Sequence, residues 1–384
     1  MKLSDKILHL LVGLSATAAL SSCENVFEDL QECAPDPQTY TTVSFVYDYN
    51  MDKKDLFTEH VGSVYLYVFD SKGIYRMRRS LHRADMDKVD FSMRFNESEF
   101  EPGQTYQFVA IASGNPAGYS AALETPGFTL QTEMIPGVST IDDYVLKLDR
   151  DNNGEADFGV VDYRDAYGNN QQMMDTIWTT RPDEVQIVHI PEREVYPPSP
   201  VARPDRELPP VTIPMMRITN SVKVNLVSRS FDANTSADAY HVLVRFPYGN
   251  GTIDFTGNTL PAQELYYRAL RKDMIAYKPT RAGEDDDDTR YALHSEFGLS
   301  RLQVADGSSL QVRDAQTNEI IAEIENFSDF LAEFFEHDED DQEFLDREYD
   351  FEIDFEIDDD CNFKWIALTL NVLGWHKIVY FTDL

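Results

Sequence analysis

The chain has 384 residues with 33 Lys and Arg against 68 Asp and Glu, a formal net charge of −35. Phosphate backbones repel such a chain, which excludes nucleic acid as an expected partner. An apolar fraction of 42% with 23 Phe and 20 Tyr excludes global disorder, and the length suits two domains.

In chain order, Lys2 and Lys6 form a short basic segment before the apolar stretch Ile7–Leu20. That stretch is too short to span a bilayer and reads as an export signal to be removed. It runs into Leu20-Ser21-Ser22-Cys23, a lipobox: Ser22 is the small residue before the cut, and Cys23 becomes the acylated first residue of the mature chain. Acyl chains buried in lipid then hold the protein to a membrane surface from outside the cytoplasm. The expected organisation is a signal at 1–22 and a lipidated tether at 23–38. A first β domain at 39–210 and a second at 211–384 follow.

With Cys23 acylated, Cys33 and Cys361 are the remaining thiols. They either pair, closing a very long loop, or stand as free or buried thiols; spacing does not decide between these.

Short strands follow. In Thr42–Tyr47, Val43, Phe45 and Tyr47 alternate onto one face; Val64–Phe69 is a continuous apolar run; Tyr106–Ala112 follows the Pro102-Gly103 turn. No long amphipathic helices alternate with them, which argues against a parallel α/β sheet. Pro191–Pro214 is dense in proline and is expected to run extended, as an interdomain linker or an exposed loop. Beyond it, Val222–Leu226, His241–Phe246, Leu310–Val312 and Ile320–Ile324 read as strands. Ser328–Phe335 reads as a helix capped by Ser328, with Phe327, Phe330, Leu331 and Phe334 at helical spacing. Tyr349–Ile357 alternates strictly between apolar residues and acids and is expected to be a half-solvated antiparallel strand. Trp365–Val372 and His376–Phe381 complete an all-β chain with a minor helix.

Catalytic signals are weak. There is no G-x-S-x-G elbow, Walker A loop or H-E-x-x-H. His60, His82, His189, His241, His294, His337 and His376 are scattered, none at metal-ligand spacing. The loop Asp149-Arg150-Asp151-Asn152-Asn153-Gly154-Glu155-Ala156-Asp157 matches the first nine positions of a calcium loop. Position twelve is Val160, where a bidentate Glu is needed, so the loop is read as a solvated acidic turn and no metal is expected. The acid runs Glu284–Asp288 and Asp338–Asp341 are likewise read as solvated. No enzyme and no cofactor are expected.

Several segments occur in a telling order. Behind the lipobox come Phe27-Glu28-Asp29-Leu30-Gln31-Glu32-Cys33, Phe45-Val46-Tyr47-Asp48-Tyr49-Asn50-Met51 and Val64-Tyr65-Leu66-Tyr67-Val68-Phe69-Asp70. Arg217-Ile218-Thr219-Asn220-Ser221-Val222-Lys223-Val224, Gln342-Glu343-Phe344-Leu345-Asp346-Arg347-Glu348 and Gly374-Trp375 follow. In this the chain resembles the FimB-type anchor family of Bacteroidia fimbriae, which includes the minor-fimbrium anchor. The resemblance implies two tandem transthyretin-like β-sandwich domains, a lipid anchor in the outer membrane, and a structural role in a cell-surface fimbrium. It also implies pilin partners joined by strand complementation, in which backbone hydrogen bonds supply affinity and alternate side chains fill pockets. The apolar C-terminal strand is a candidate for such a junction, or completes its own sheet. The alternative reading is a surface lipoprotein that binds glycans on exposed aromatics; Trp178, Trp365 and Trp375 would have to be exposed for it.

Overall fold

A computed structural model of the chain describes residues 34–380 apart from 89, 116–127, 149–174, 183, 198, 200, 278–289, 334–338, 358–362 and 373–374; for 357, 363–372 and 375–380 it describes the backbone alone. The chain is built from strands. The first half carries β1 (Thr39–Val46), β2 (Ser63–Asp70), β3 (Tyr75–His82), β4 (Met93–Asn96), β5 (Thr105–Ser113), β6 (Phe128–Leu130), β7 (Leu146–Leu148), β8 (Ile177–Thr180), β9 (Gln186–His189), β10 (Arg206–Glu207) and β11 (Val211–Arg217). The second half carries β12 (Thr219–Ser228), β13 (Tyr240–Phe246), β14 (Thr252–Ile253), β15 (Leu265–Arg268), β16 (Arg271–Tyr277), β17 (Arg290–Ser300), β18 (Ser309–Asp314), β19 (Ile320–Glu325), β20 (Asp350–Ile357), β21 (Phe363–Val372) and β22 (Trp375–Tyr380). Helices at Phe327–Glu333 and Asp341–Arg347 lie between β19 and β20.

In the first unit two layers face each other. One is β4-β1 with β10 and β11; the other is β8-β5-β2-β3 with β9 on the far end of β5. Val43, Phe45 and Tyr47 of β1 meet Val64, Leu66 and Val68 of β2 and Phe108, Ala110 and Ala112 of β5 across a shared apolar core. β11 joins the layers. Val211–Pro214 pairs in parallel with β1, and Met215–Arg217 pairs antiparallel with β8. Pro214 sits where the strand changes partner, a position that tolerates a residue without an N–H. β11 is thus the last strand of the first unit, and the chain enters the second at Ile218–Thr219. The Pro-rich segment before it does not run between units. Its described residues are mostly exposed; instead of running extended it folds back on itself, bringing Arg206 to Glu194 at 2.5 Å and Arg203 within 5.0 Å of the Tyr196 ring, and it pairs in parallel with β1 through Arg206 and Glu207.

The second unit sets the sheet β16-β17-β12-β20-β21-β22 against β15-β13-β18-β19. Val222, Val224 and Leu226 face Val242, Val244, Leu310 and Val312 within one core. β20 differs from expectation. It pairs in parallel with β12 over Asp350–Ile357 and antiparallel with β21, so it is a central strand rather than part of a simple antiparallel meander. Its alternation is as read: Phe351, Ile353 and Phe355 are buried while Glu352, Asp354 and Glu356 are half-exposed. The helix of the second unit begins at Phe327, so Ser328 is not its cap. Ser328 lies in the first turn, where its N–H and hydroxyl bond to Ser308 and Asp306 of the preceding loop.

The units do not merely touch. β6 and β7 of the first half and β14 of the second form one three-stranded sheet, with Lys147 opposite Thr252 and Leu146 opposite Ile253. The second unit's core also takes in Tyr65, Tyr67 and Phe69, the other face of β2. β2 is therefore buried on both faces, which is why it reads as a continuous apolar run.

Candidate functional site

Three of the segments singled out in the sequence converge at the boundary between the units. After β1 the chain turns at Asn50, whose side-chain amide donates to the carbonyls of Tyr47 at 2.9 Å and Lys54 at 2.8 Å. That turn presents the Asn50 carbonyl to Arg347, which donates to it from Nη2 at 3.1 Å. Arg347 also donates to Glu339 at 3.2 Å and Glu343 at 3.0 Å, and Lys53 pairs with Glu339 at 3.5 Å. The Tyr49 ring lies between Arg181, 4.1 Å away, and Arg347, 5.9 Å away. Cations over aromatic faces are favourable, the more so when partly desolvated.

Gln342 and Asp346 of the same helix reach partners elsewhere in the second unit. Gln342 donates to the Leu302 carbonyl at 3.1 Å and accepts from the Val304 N–H at 2.9 Å. Asp346 accepts from Arg301 Nε and Nη2, both at 2.7 Å, a bidentate pair with both side chains 6% exposed. Arg301 continues to the Gly257 carbonyl at 2.8 Å. Gly257 has φ +80°, and a Cβ there would lie 2.8 Å from Cγ2 of Thr179 on β8. Only glycine lets this turn of the second unit come so close to the first. Phe344 and Leu345 fill the second unit's core.

Glu348 ends the helix. Its Oε1 accepts from the N–H groups of Tyr349 at 2.9 Å and Asp350 at 3.0 Å, while its Oε2 is buried with no hydrogen-bond partner. Burial pushes its carboxyl up to about 7, against the lowering effect of those two N–H groups. The Arg217 guanidinium, from the strand that joins the units, lies 4.1 Å above the Tyr349 ring. Burial lowers the Arg217 pKa and raises that of Tyr47, which packs edge-on against Trp178 at 5.8 Å. The crossing itself is pinned by the Ile218 N–H donating to the Ile177 carbonyl at 2.9 Å. The arrangement is a polar clasp that fixes one sheet unit on the other; it brings no nucleophile and base together.

The other site of interest is where the chain enters the fold. The Ala34 N–H donates to the Ser199 carbonyl at 3.0 Å, the Gln38 N–H to Asp205 at 2.9 Å, and the Arg206 and Leu208 N–H groups to the Gln38 and Tyr40 carbonyls at 2.8 Å each. The Pro-rich segment thus grips the entering chain. At the far end, β22 pairs with β21 and forms the edge of the six-stranded sheet among the described residues. The C-terminal strand completes its own sheet.

Of the residues predicted from sequence, Cys23, Cys33, Cys361 and the Asp149–Asp157 loop lie outside the described residues, as does Gly374. Trp178 is 1% exposed and so cannot present a sugar platform. The sequence reading missed the helix Asp341–Arg347 altogether. Its signal was present in Asp340, whose side chain caps the helix at the Gln342 N–H.

Fold and junction define a β protein of two layered sheet units locked together by a shared core and a polar clasp. The chain belongs to the family of fimbrillin-A associated anchor proteins Mfa1 and Mfa2, whose model matches residues 30–380. That membership makes it a fimbrial subunit. No curated protein matches it. Among solved structures it is similar to a candidate polysaccharide-binding protein of Bacteroides thetaiotaomicron: 21% identity, TM-score 0.61, covering 91% of this chain and 99% of the other. A candidate adhesin of the same organism gives 19% identity and TM-score 0.63, covering 89% and 98%. The fimbrial anchor protein Mfa2 of Porphyromonas gingivalis gives 15% identity and TM-score 0.53, covering 88% and 98%. At these identities the likeness is one of fold.

Proposed function

We propose that this chain is the lipid-held anchor, or an accessory subunit, of a cell-surface fimbrium. Acylated Cys23 holds it to the outer membrane, and a neighbouring pilin is joined by β-strand complementation. Its role is structural and its domains divide at about Ile218. The observation that carries the reading is the family match across residues 30–380, taken with the lipobox that precedes it. The geometry supports it in two ways. The chain enters at one firmly gripped point beside Ser199, suited to a tether. Among the described residues β22 is the edge strand of its sheet, paired with β21 alone, and an edge strand is what strand addition uses. Interlocked units suit a part that transmits load between membrane and fibre.

The test is a strain lacking this chain, complemented with wild type or Cys23→Ala, with surface fibres imaged and fimbrial protein measured in cells and medium. Fibres that shed or change length without the chain, and are not restored by Cys23→Ala, are expected. Unchanged cell-bound fibres in every strain would overturn the reading.

A further inference from the structure

The geometry points to a binding site for a small carboxylate anion at the boundary of the units, held by the Arg217 guanidinium and the Glu348 carboxyl.

Arg217 ends β11, the strand that joins the units, and is half-buried. Its Nε reaches the Thr219 hydroxyl at 3.5 Å, and its guanidinium lies 4.1 Å over the Tyr349 ring. Among the described residues Nη1 and Nη2 donate to nothing, and no carboxylate stands within ion-pair distance. A guanidinium is a rigid fork of donors that fits the two oxygens of a carboxylate. Leaving that fork unmet in a half-buried place is costly.

Glu348 adds a second unmet donor. Its Oε1 accepts from the Tyr349 and Asp350 N–H groups. The proton of the neutral acid therefore sits on Oε2, which is buried and bonded to nothing among the described residues. Glu348 is close enough to Arg217 for each to act on the other's charge, yet it is not the missing acceptor. Burial keeps it protonated up to about pH 7. The boundary thus offers N–H and O–H donors from two elements and no acceptor to meet them.

The other charged and titratable groups leave the place open. Asp350, which also acts on Arg217, pairs with Lys223 at 3.5 Å. Asp52 acts on Tyr349 and His60. Burial, with Arg217 beside it, lowers His60, and burial raises the Tyr47 and Tyr349 phenols, so all three are neutral at pH 7. One monovalent anion balances Arg217. A phosphate dianion brings excess charge beside Asp350 and Asp52, and its desolvation is not repaid. Binding uses the Glu348 proton, so affinity is full below about pH 7 and falls as Glu348 ionises. The fall amounts to about tenfold between pH 6 and pH 8.

The experiment titrates sodium acetate into the purified chain at pH 6 and pH 8, with sodium chloride holding the ionic strength constant, and reads the thermal midpoint. A saturable rise is expected at pH 6, with half-effect on the order of millimolar acetate. About tenfold more acetate should be needed at pH 8. Glu348→Gln replaces the O–H by an N–H that does not titrate, and its half-effect should be the same at both pH values. Arg217→Lys keeps the charge without the fork, and its half-effect should rise at least about tenfold. No saturable rise in the wild type at pH 6 overturns the site, whatever the variants do. An effect undiminished in Arg217→Lys, or independent of pH in the wild type, overturns it equally.

Discussion

Two strands of equal length, Ser63–Asp70 and Asp350–Ile357, solve opposite problems. In β2 every residue is buried, because Val64, Leu66 and Val68 face the first core while Tyr65, Tyr67 and Phe69 face the second. In β20 burial alternates, with Phe351, Ile353 and Phe355 inside. Of the acids on the other face, Asp350 pairs with Lys223 and Glu356 with Arg229 and Arg290, while Glu352 and Asp354 accept from Asn225. An unbroken apolar run marks a strand between two cores, and strict alternation marks one that owns a single core. The boundary between the units is therefore a second core and not a hinge.

That comparison is broken most directly at Phe69. Phe69→Ala should destabilise by about 3–5 kcal/mol, the cost of a large aromatic removed from a closed core. Glu352→Ala on β20 should stay within about 0.5 kcal/mol. Denaturant midpoints of the two variants decide it; equal losses would mean the outer face of β2 is not a core.

The next effect is in pH. Glu348 has an ordinary value of 4.5 and is pushed up to about 7 in the fold by burial. Between these values the native chain holds a proton that the unfolded chain lacks. Stability from this group is therefore full below about pH 4.5 and is lost as pH rises toward about 7. The loss is on the order of 3 kcal/mol. Glu348→Gln removes the titration, so the variant should gain on wild type by roughly that amount between pH 5 and pH 8. A difference that does not change with pH would show the carboxyl to be solvated.

The smallest effect tests the close approach of the units. Gly257→Ala places a Cβ against Thr179 in a left-handed backbone conformation, and should cost about 1–2 kcal/mol. Thr179→Ser removes the Cγ2 in the way and should restore part of that loss. No rescue would assign the whole cost to the backbone.

How much was legible follows the range of each interaction. The alternation of Val43, Phe45 and Tyr47 and of Phe351, Ile353 and Phe355 is local, and both strands read correctly. Parallel pairing of β20 with β12 was not legible, since a strand's side-chain pattern does not name the direction of its neighbour. The helix Asp341–Arg347 was hidden because Gln342, Asp346 and Arg347 are each directed to a different distant partner, Leu302, Arg301 and Asn50. Ser328 looked like a cap by residue type, yet Asp306 and Ser308 claimed it.

The sequence by itself determined the class of this protein: an all-β chain of fimbrial type, with segments whose order marks its family. Patterning at period two and residue types along the chain carry that information, because burial on one face of a strand is a local demand. Only the tertiary structure decided that Phe45–Met51, Arg217–Val224 and Gln342–Glu348 are parts of one clasp. It also decided that the proline-rich segment grips the chain's entry instead of linking two domains. These depend on contacts between residues up to 297 positions apart, as from Asn50 to Arg347. Their geometry exists only once both cores have closed.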